Sequence, residues 1–459
     1  MCPGSVRVAV IGAGASGLAQ LKQLLDAFAR PNTPQLDVVV YESQREVGGT
    51  WFRSSHDKKK YIRHTDSDGQ LFFSPDAENP SPMYDGLRTN LPYDLMSYRD
   101  FPMEHDDIFP DQPAVERYLR DYAKKFDLYK YIRFNTPVKR LYRHGKWRIE
   151  TDTVEDFDFV CVANGHYADS WIPLIPGLDS FPGEVLHSRY YRCPEDYAGK
   201  SVMVVGSFAS GSDLSRQLAG LNLTGRSMTV YLSSSGSTYS PPPGPDDPPQ
   251  PWREYIRNVP LISRIDETKI SFEDGSQVDD VDTLIFATGY RYSLPFCKAF
   301  DEPWKSTPPL DRIDGSLSGL SMRQLDELLL FLKDDRTISF PVLQYQIVPF
   351  PLAEVQARLT AFLWAGLFML PEHLNLPSNP SNHHSTPPAT PPDTPVRKVV
   401  SMRQNLVFGA PYEFIYAEYL MDLMRGVDGD DTPSHWQRIE PWRRERRADK
   451  ALRRKLLGY

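Results

Sequence analysis

Two stretches of the chain carry one succession of apolar and polar positions. Residues 6–25 read VRVAVIGAGASGLAQLKQLL and residues 200–219 read KSVMVVGSFASGSDLSRQLA. Each begins with a β-branched apolar run, passes through a turn of small residues, and continues with apolar positions at helical spacing. The pattern predicts strand, turn and helix twice, starting about 190 residues apart, with the first strand over Val6–Ile11. Further apolar runs predict strands over Leu36–Tyr41, Met228–Leu232 and Val281–Ile285. Pro349-Phe350-Pro351 leads into a helical pattern from Leu352 to about Phe368, where a proline near the first turn and the early Glu354 suit a helix N-terminus. The fold class this implies is α/β.

The turns carry the chemistry. Gly12-Ala13-Gly14-Ala15-Ser16-Gly17 fits G-x-G-x-x-G between a strand and a helix. The first glycine permits the tight turn, the second lets backbone approach a pyrophosphate, and the third lets the helix pack closely on the sheet. The helix N-terminus then faces the phosphates. The next strand ends at Glu42, placed to bind a ribose hydroxyl. In the second copy, Gly206-Ser207-Phe208-Ala209-Ser210-Gly211, a phenylalanine stands where the middle glycine belongs. It obstructs the closest approach, so a nucleotide there binds more loosely or in another pose; Ser210 and Gly211 are still suited to donate to phosphate. The strand that follows runs into Ser233-Ser234-Ser235 with no acid, which lets a 2′-phosphate in. Arg216 either pairs with that phosphate or forms a surface salt bridge. NADPH is favoured over NADH.

Composition removes several alternatives. With 52 basic and 60 acidic residues, net −8, the 459-residue chain has no general pull toward nucleic acid. No apolar run approaches the roughly 20 residues of a spanning helix, and a strand beginning near Val6 leaves no room for a signal peptide. Cys2, Cys161, Cys193 and Cys297 lie far apart, which excludes a redox dithiol or zinc ribbon and reads as four reduced thiols. No metal site is expected: His383–His384 lack ligands at useful spacing. The 41 prolines look like disorder until mapped: seven fall in residues 241–251 and seven in 377–395, two tracts read as loops or extended connectors.

After Glu42 comes Glu46-Val47-Gly48-Gly49-Thr50-Trp51, where paired glycines before an aromatic suggest backbone approaching a bulky planar ligand. From here the chain resembles the flavin-containing monooxygenases, a branch of the class B flavoprotein monooxygenases, in its fungal or yeast-like type. The resemblance continues through Leu87–Leu91, Leu95–Pro102, Phe181–His187 (F-x-G-x-x-x-H), Phe286–Tyr290 and Pro351–Arg358, spanning residues 6 to about 365. Baeyer–Villiger members usually carry tryptophan four residues after the motif histidine; Tyr191 stands there instead.

The resemblance implies two Rossmann-like dinucleotide-binding domains, an NADPH domain (170–288) inserted into a discontinuous FAD domain (1–168 plus 290–459). It implies that NADPH reduces FAD, that O2 forms a flavin C4a-hydroperoxide, and that a soft nucleophile (N or S) of a small molecule takes one oxygen. Asn90 is the implied catalytic residue, hydrogen-bonding beside the flavin. The implied cofactor-binding residues are Gly12, Gly14, Ala15, Ser16, Gly17, Glu42, Gly49, Thr50, Trp51, Thr89, Asn90, Val138, Gly206, Ser207, Ser210, Gly211, Arg216, Ser234 and Gln356. His187 reads as conformational, and the helix after Pro351 as aiming its N-terminus at the flavin. A Baeyer–Villiger enzyme acting on a ketone and a catalytically silent FAD-binding protein are the alternatives. The last 19 residues, Pro441–Tyr459, hold eight Lys or Arg against two acids. They read either as a solvated helix face or as a peripheral membrane anchor with Leu452, Leu456 and Leu457. The location expected is cytoplasmic or membrane-peripheral, and the oligomeric state is not legible.

Overall fold

A computed structural model describes residues 4–53, 62–65, 71–74, 81–236, 244–245, 247–313, 315–379, 406–428 and 433–457. The chain forms two units. One comprises Met1–Phe52, Leu91–His166 and Arg291–Ala448; the other comprises Arg53–Asn90, Tyr167–Tyr290 and Asp449–Tyr459. The elements that matter below are, in the first unit, β1 (Ser5–Ile11), α1 (Ala15–Phe28), β2 (Gln35–Tyr41), α2 (Gln112–Lys125) and β3 (Phe159–Val162). The second unit holds β4 (Glu184–His187), β5 (Ser201–Val205), α3 (Ala209–Gly220), β6 (Thr229–Ser233), β7 (Ile256–Val259) and β8 (Thr283–Phe286). The chain then returns to the first unit through β9 (Asp335–Ser339), α4 (Pro349–Trp364), α5 (Ala410–Asp428) and α6 (Pro441–Ala448), and ends in the second with α7 (Lys450–Leu457).

In the first unit β9, β3, β1 and β2 are parallel neighbours, flanked by Phe331–Leu332 beside β9 and Ile132–Arg133 beside β2. Strand β1 is buried on both faces. Val8 and Val10 join the core of α1, α2 and α4, whereas Ala9 and Ile11 join Trp147, Ile149 and Phe157 on the opposite side. A strand covered on both sides needs an unbroken apolar run, which is what its sequence supplies. The second unit repeats the arrangement in a sheet of order β4-β8-β5-β6-β7, parallel throughout. There Val202 and Val204 face α3 and Leu218, while Met203 and Val205 face Ile270 and Phe272.

Several expectations are corrected. Helix α4 starts at Pro349 and stops at Trp364, not Phe368, because Gly366 turns left-handed at φ +71° just past its end. Glu354 is no first-turn charge. It is fully buried one turn further in, where it accepts a hydrogen bond from the Arg99 amide. The 241–251 tract is not loop to its end, since Pro251 opens a 3-10 turn, Pro251–Tyr255; residues 241–243 and 246 lie outside the described residues. In the other tract, 380–395 also lie outside them. Segment Arg53–Asn90 belongs to the second unit, not the first. The reason is its anchoring: Tyr84 is buried in that unit's core and the Asp85 amide donates to Arg192 O at 2.8 Å.

The basic tail is paired rather than free. Arg443 meets Glu440, Arg444 meets Glu418, Arg446 meets Asp94 and Arg447 meets Glu413, at 2.6–3.1 Å. In the second unit Arg454 meets Asp247 at 2.9 Å. No helix among the described residues is long and apolar enough to cross a membrane.

Candidate functional site

The two glycine turns are superimposable in their bonding. In the first unit the Gly12 amide donates to Tyr41 O (2.8 Å) and the Ala163 amide to Ile11 O (2.9 Å). In the second, Gly206 donates to Ser233 O (2.9 Å) and Ala287 to Val205 O (2.8 Å). Gly12 and Gly206 both take positive φ, +101° and +105°. A Cβ on Gly12 would sit 2.6 Å from Ala163 O, and one on Gly206 would sit 2.7 Å from Ala287 O. The third glycine of each turn, Gly17 and Gly211, lies so close that a Cβ would come within 2 Å of the carbonyl of the first. No side chain fits at any of the four. Their glycines are explained by protein backbone alone.

The middle position is different. Gly14 caps α1 at φ −75°, ψ −173°, and Phe208 caps α3 at φ −76°, ψ −168°. Extended backbone of this kind suits any residue, so Gly14 is not required by its own conformation. Its missing side chain serves what approaches it. Part of that is the paired-glycine segment: the Gly48 amide donates to Ala13 O at 3.1 Å, and a Cβ on Gly49 would lie 2.9 Å from the Gly14 Cα. The Gly48-Gly49 pair, expected to meet a planar ligand, therefore first meets the turn itself. Thr50 and Trp51 follow in the same 3-10 turn, with Trp51 O held by the Gln112 side-chain amide. Phe208, by contrast, is 57% exposed.

Both helices then start without a cap. The N-cap residues Gly14 and Phe208 make no side-chain cap bond, and neither first turn holds an acid, among the described residues. The same chain caps α2 through Asp111, which accepts from the Ala114 amide at 3.0 Å. Uncapped amides beside a glycine turn present aligned donors and a positive dipole end, the donor set that suits a phosphate group. Ala15 and Ser16 supply that first turn in one unit, and Ala209 with exposed Ser210 in the other.

Register fixes what stands at each strand end. Tyr41 and Ser233 occupy equivalent positions, so the residues after them, Glu42 and Ser234, correspond. The buried Glu42 carboxylate accepts from the Ala13 amide at 2.6 Å through Oε2 and from the Gln44 amide at 2.8 Å through Oε1. Burial pushes its pKa up, against the pull of those amides. Val138 lies on the strip beside it, where Thr136 donates to Glu42 O at 2.8 Å. Ser234 brings only a hydroxyl, which accepts from the Gly236 amide at 3.4 Å.

The remaining predicted residues are scattered. Arg216 pairs with Asp213, Nη2 to Oδ1 at 2.6 Å. Thr89 is buried and Asn90 partly exposed, both in the second unit. The Gln356 side chain is enclosed in the helical layer of the first unit. Its oxygen takes the Val342 amide at 2.8 Å, and its nitrogen donates to Gln344 and to the Tyr416 hydroxyl. His187 accepts the Arg189 amide at Nδ1 (3.1 Å), so Nε2 carries the proton it donates to Gly289 O at 2.9 Å. Burial drives its pKa down to about 3, leaving a neutral ring that holds the chain after β8. In the same motif, a Cβ on Gly183 would strike Asp282 O and the Phe181 ring. Sequence reading missed Tyr98, whose fully buried hydroxyl donates to Ala15 O at 2.6 Å beneath the first turn of α1. The only signal was its place in the Leu95–Pro102 motif.

Two uncapped helix starts, each behind a glycine turn, fit two dinucleotides. The flavin-binding monooxygenase-like family model matches residues 5–239 and 254–307. The flavin-containing monooxygenase FMO GS-OX5 of Arabidopsis thaliana is 36% identical over 64% of this chain and 62% of its own. FMO GS-OX-like 4 of the same plant is 31% identical over 80% of this chain and 78% of its own. Among solved structures, S-allyl-L-cysteine S-oxygenase from Allium sativum shares the fold over 99% of this chain and 94% of that one, with TM-score 0.71 and 24% identity. With both turns conserved in bonding and the family model covering most of the sequence, the chain belongs to the flavin-containing monooxygenase family, flavoprotein oxidoreductases that use FAD and NADPH.

Proposed function

We propose that the chain is an NADPH-dependent monooxygenase that transfers one oxygen atom of O2 to a soft nucleophile, sulfur or nitrogen, of a small molecule. The observation that carries the reading is the unequal pair of turns: one strand end offers the Glu42 carboxylate and the other the Ser234 hydroxyl. A carboxylate suits an unphosphorylated ribose and repels a 2′-phosphate; a serine, with Arg216 on the preceding helix α3, tolerates one. On this reading FAD occupies the first turn and NADPH the second.

The bound flavin supplies the redox chemistry, taking a hydride from NADPH and activating O2. The protein's part is binding, orientation and water exclusion. The turn at residues 12–17 would cradle the FAD pyrophosphate with the first-turn amides of α1, Glu42 would accept from its ribose, and Gly49–Trp51 with Val138 would line its path. Residues 206–211 and Ser234 do the same for NADPH, with Arg216 on the 2′-phosphate. Asn90 would present its side-chain amide as a hydrogen-bonding group toward the reacting face of the bound flavin. Gln356 acts at one remove, by bracing Val342 and Gln344. A cytoplasmic location goes with this reading, and with free Cys161, Cys193 and Cys297.

The test is NADPH consumption and peroxide yield measured against thioethers, thiols, tertiary amines and ketones. Oxygenated sulfur or nitrogen with little peroxide supports the proposal. Ester formation from ketones replaces it with a Baeyer–Villiger reading, and a colourless protein that takes up no FAD ends it. Asn90→Ala is expected to keep FAD, lose oxygenation and release peroxide; wild-type coupling in that variant removes Asn90 from the mechanism.

A further inference from the structure

The segment that carries Asn90 is fastened to the same helix that carries Arg216, and one carboxylate makes both attachments. Asp213 lies in the second turn of α3, 3% exposed. Its Oδ1 accepts from Arg216 Nε at 3.1 Å and Nη2 at 2.6 Å. Its Oδ2 accepts from the Tyr84 hydroxyl at 2.7 Å. Tyr84 is buried, with its ring edge-on to Tyr191 at 5.4 Å. Next to it the Asp85 amide is bonded to Arg192 O, and Gly86 turns so close to α3 that a Cβ would sit 3.5 Å from Gln217 Nε2.

From Tyr84 to Asn90 is six residues, a reach of at most about 20 Å fully extended. The Tyr84 anchor therefore limits where the Asn90 amide can be. A buried carboxylate shared by a guanidinium and a phenol is also a set of charge-assisted bonds in a low-dielectric setting, where the partners polarise one another. Drawing Arg216 toward an added anion leaves Asp213 more negative and strengthens its hold on the Tyr84 hydroxyl.

We propose that Asp213 is a positioning residue that couples recognition of the NADPH 2′-phosphate by Arg216 to the placement of the Thr89-Asn90 segment through Tyr84. It rests on the reading of Arg216 and Asn90 given above. The coupling makes the enzyme sense which nucleotide is bound before Asn90 is set for chemistry.

The experiment uses FAD-loaded protein and two readouts other than turnover: NADP+ and NAD+ dissociation constants, and amide hydrogen exchange over residues 85–90 at saturating nucleotide. Arg216→Ala should weaken NADP+ about tenfold while leaving NAD+ nearly unchanged, the loss of one charge-assisted contact, and Asp213→Asn should lower the same selectivity to a lesser degree by loosening the guanidinium it orients. In the wild type, exchange at 85–90 should be slower with NADP+ than with NAD+. In Tyr84→Phe that difference should vanish although NADP+ still binds; a purely structural tyrosine would raise exchange equally with either nucleotide. If Arg216→Ala leaves the NADP+/NAD+ ratio at the wild-type value, the 2′-phosphate reading falls and the coupling with it. If Arg216→Ala shifts the ratio but Asp213→Asn does not, or if the exchange difference survives in Tyr84→Phe, the coupling is refuted while the cofactor reading stands.

Discussion

Gly14→Ala separates what the first turn owes to its own packing from what it owes to a ligand. At φ −75° and ψ −173° the position accepts alanine without strain, and the new Cβ would lie 3.4 Å from the Gly49 Cα, an ordinary contact. The protein's own cost is the replacement of a glycine N-cap by alanine, about 0.5–1 kcal/mol. On the ligand side, a methyl group placed where a pyrophosphate meets the helix amides overpacks the interface by about 1–3 kcal/mol, or about 5–150-fold in affinity. Gly17→Ala is the contrasting perturbation, because its Cβ would stand 1.9 Å from Gly12 O and the turn itself must break. The assay is FAD titration of the deflavinated protein, followed by flavin fluorescence, beside denaturation of the apo form. Gly14→Ala should lose no more than about 1 kcal/mol of apo stability yet bind FAD at least fivefold more weakly; Gly17→Ala should be unstable even without cofactor. FAD affinity within twofold of wild type would refute close approach at Gly14. A loss of apo stability above about 2 kcal/mol would show instead that Gly49 is what forbids the side chain.

Three further outcomes follow. Ser234→Glu recreates at β6 the acid that follows β2, and should weaken NADP+ by about 10–100-fold relative to NAD+, read as the ratio of dissociation constants. Burial raises the Glu354 carboxyl to about 8. The folded protein thus holds a proton that the unfolded chain gives up near its ordinary value, and stability falls between about pH 4.5 and 8 by up to roughly 1.4 kcal/mol per pH unit. Glu354→Gln should flatten that decline in urea midpoints, and an unchanged slope would clear Glu354. Arg447→Ala strips the ion-pair partner from buried Glu413, raised by burial to about 7. The unpaired carboxyl rises further, so the loss should be up to about 1.4 kcal/mol larger at pH 8, where the wild-type carboxylate is mostly charged, than at pH 5.

What the sequence disclosed was what local chemistry enforces. Strands β1, β2, β6 and β8 were legible to within two residues, because a parallel strand covered on both faces is built largely from apolar residues. The turns were legible because the first and third glycines of each face a backbone carbonyl too closely for any side chain. Contacts between distant parts of the chain left no such mark. Nothing near Gly49 in sequence says that its partner is Gly14. The carboxylates that neutralise the tail, Asp94, Glu413, Glu418 and Asp247, lie up to 352 residues away, so a locally basic run looked like a free surface. Gln356 and Glu354 were read from a helix pattern that does not say which layer the helix occupies; both are fully buried.

The two turns are alike where backbone geometry is concerned and different where a ligand would be. Gly12 and Gly206, Gly17 and Gly211, Ala163 and Ala287 match bond for bond. They diverge at the middle position, Gly14 against Phe208, and at the residue after the second strand, Glu42 against Ser234. Each difference acts in the same direction. A bare backbone and a carboxylate already fixed by two loop amides form a preorganised site, and preorganisation lowers the cost of binding. An exposed ring and a single weakly bonded hydroxyl leave more to be ordered when the ligand arrives. Reduction by a second nucleotide requires one cofactor to stay while the other comes and goes. The tighter architecture sits at the first turn and the looser at the second, the asymmetry that such a division of labour demands.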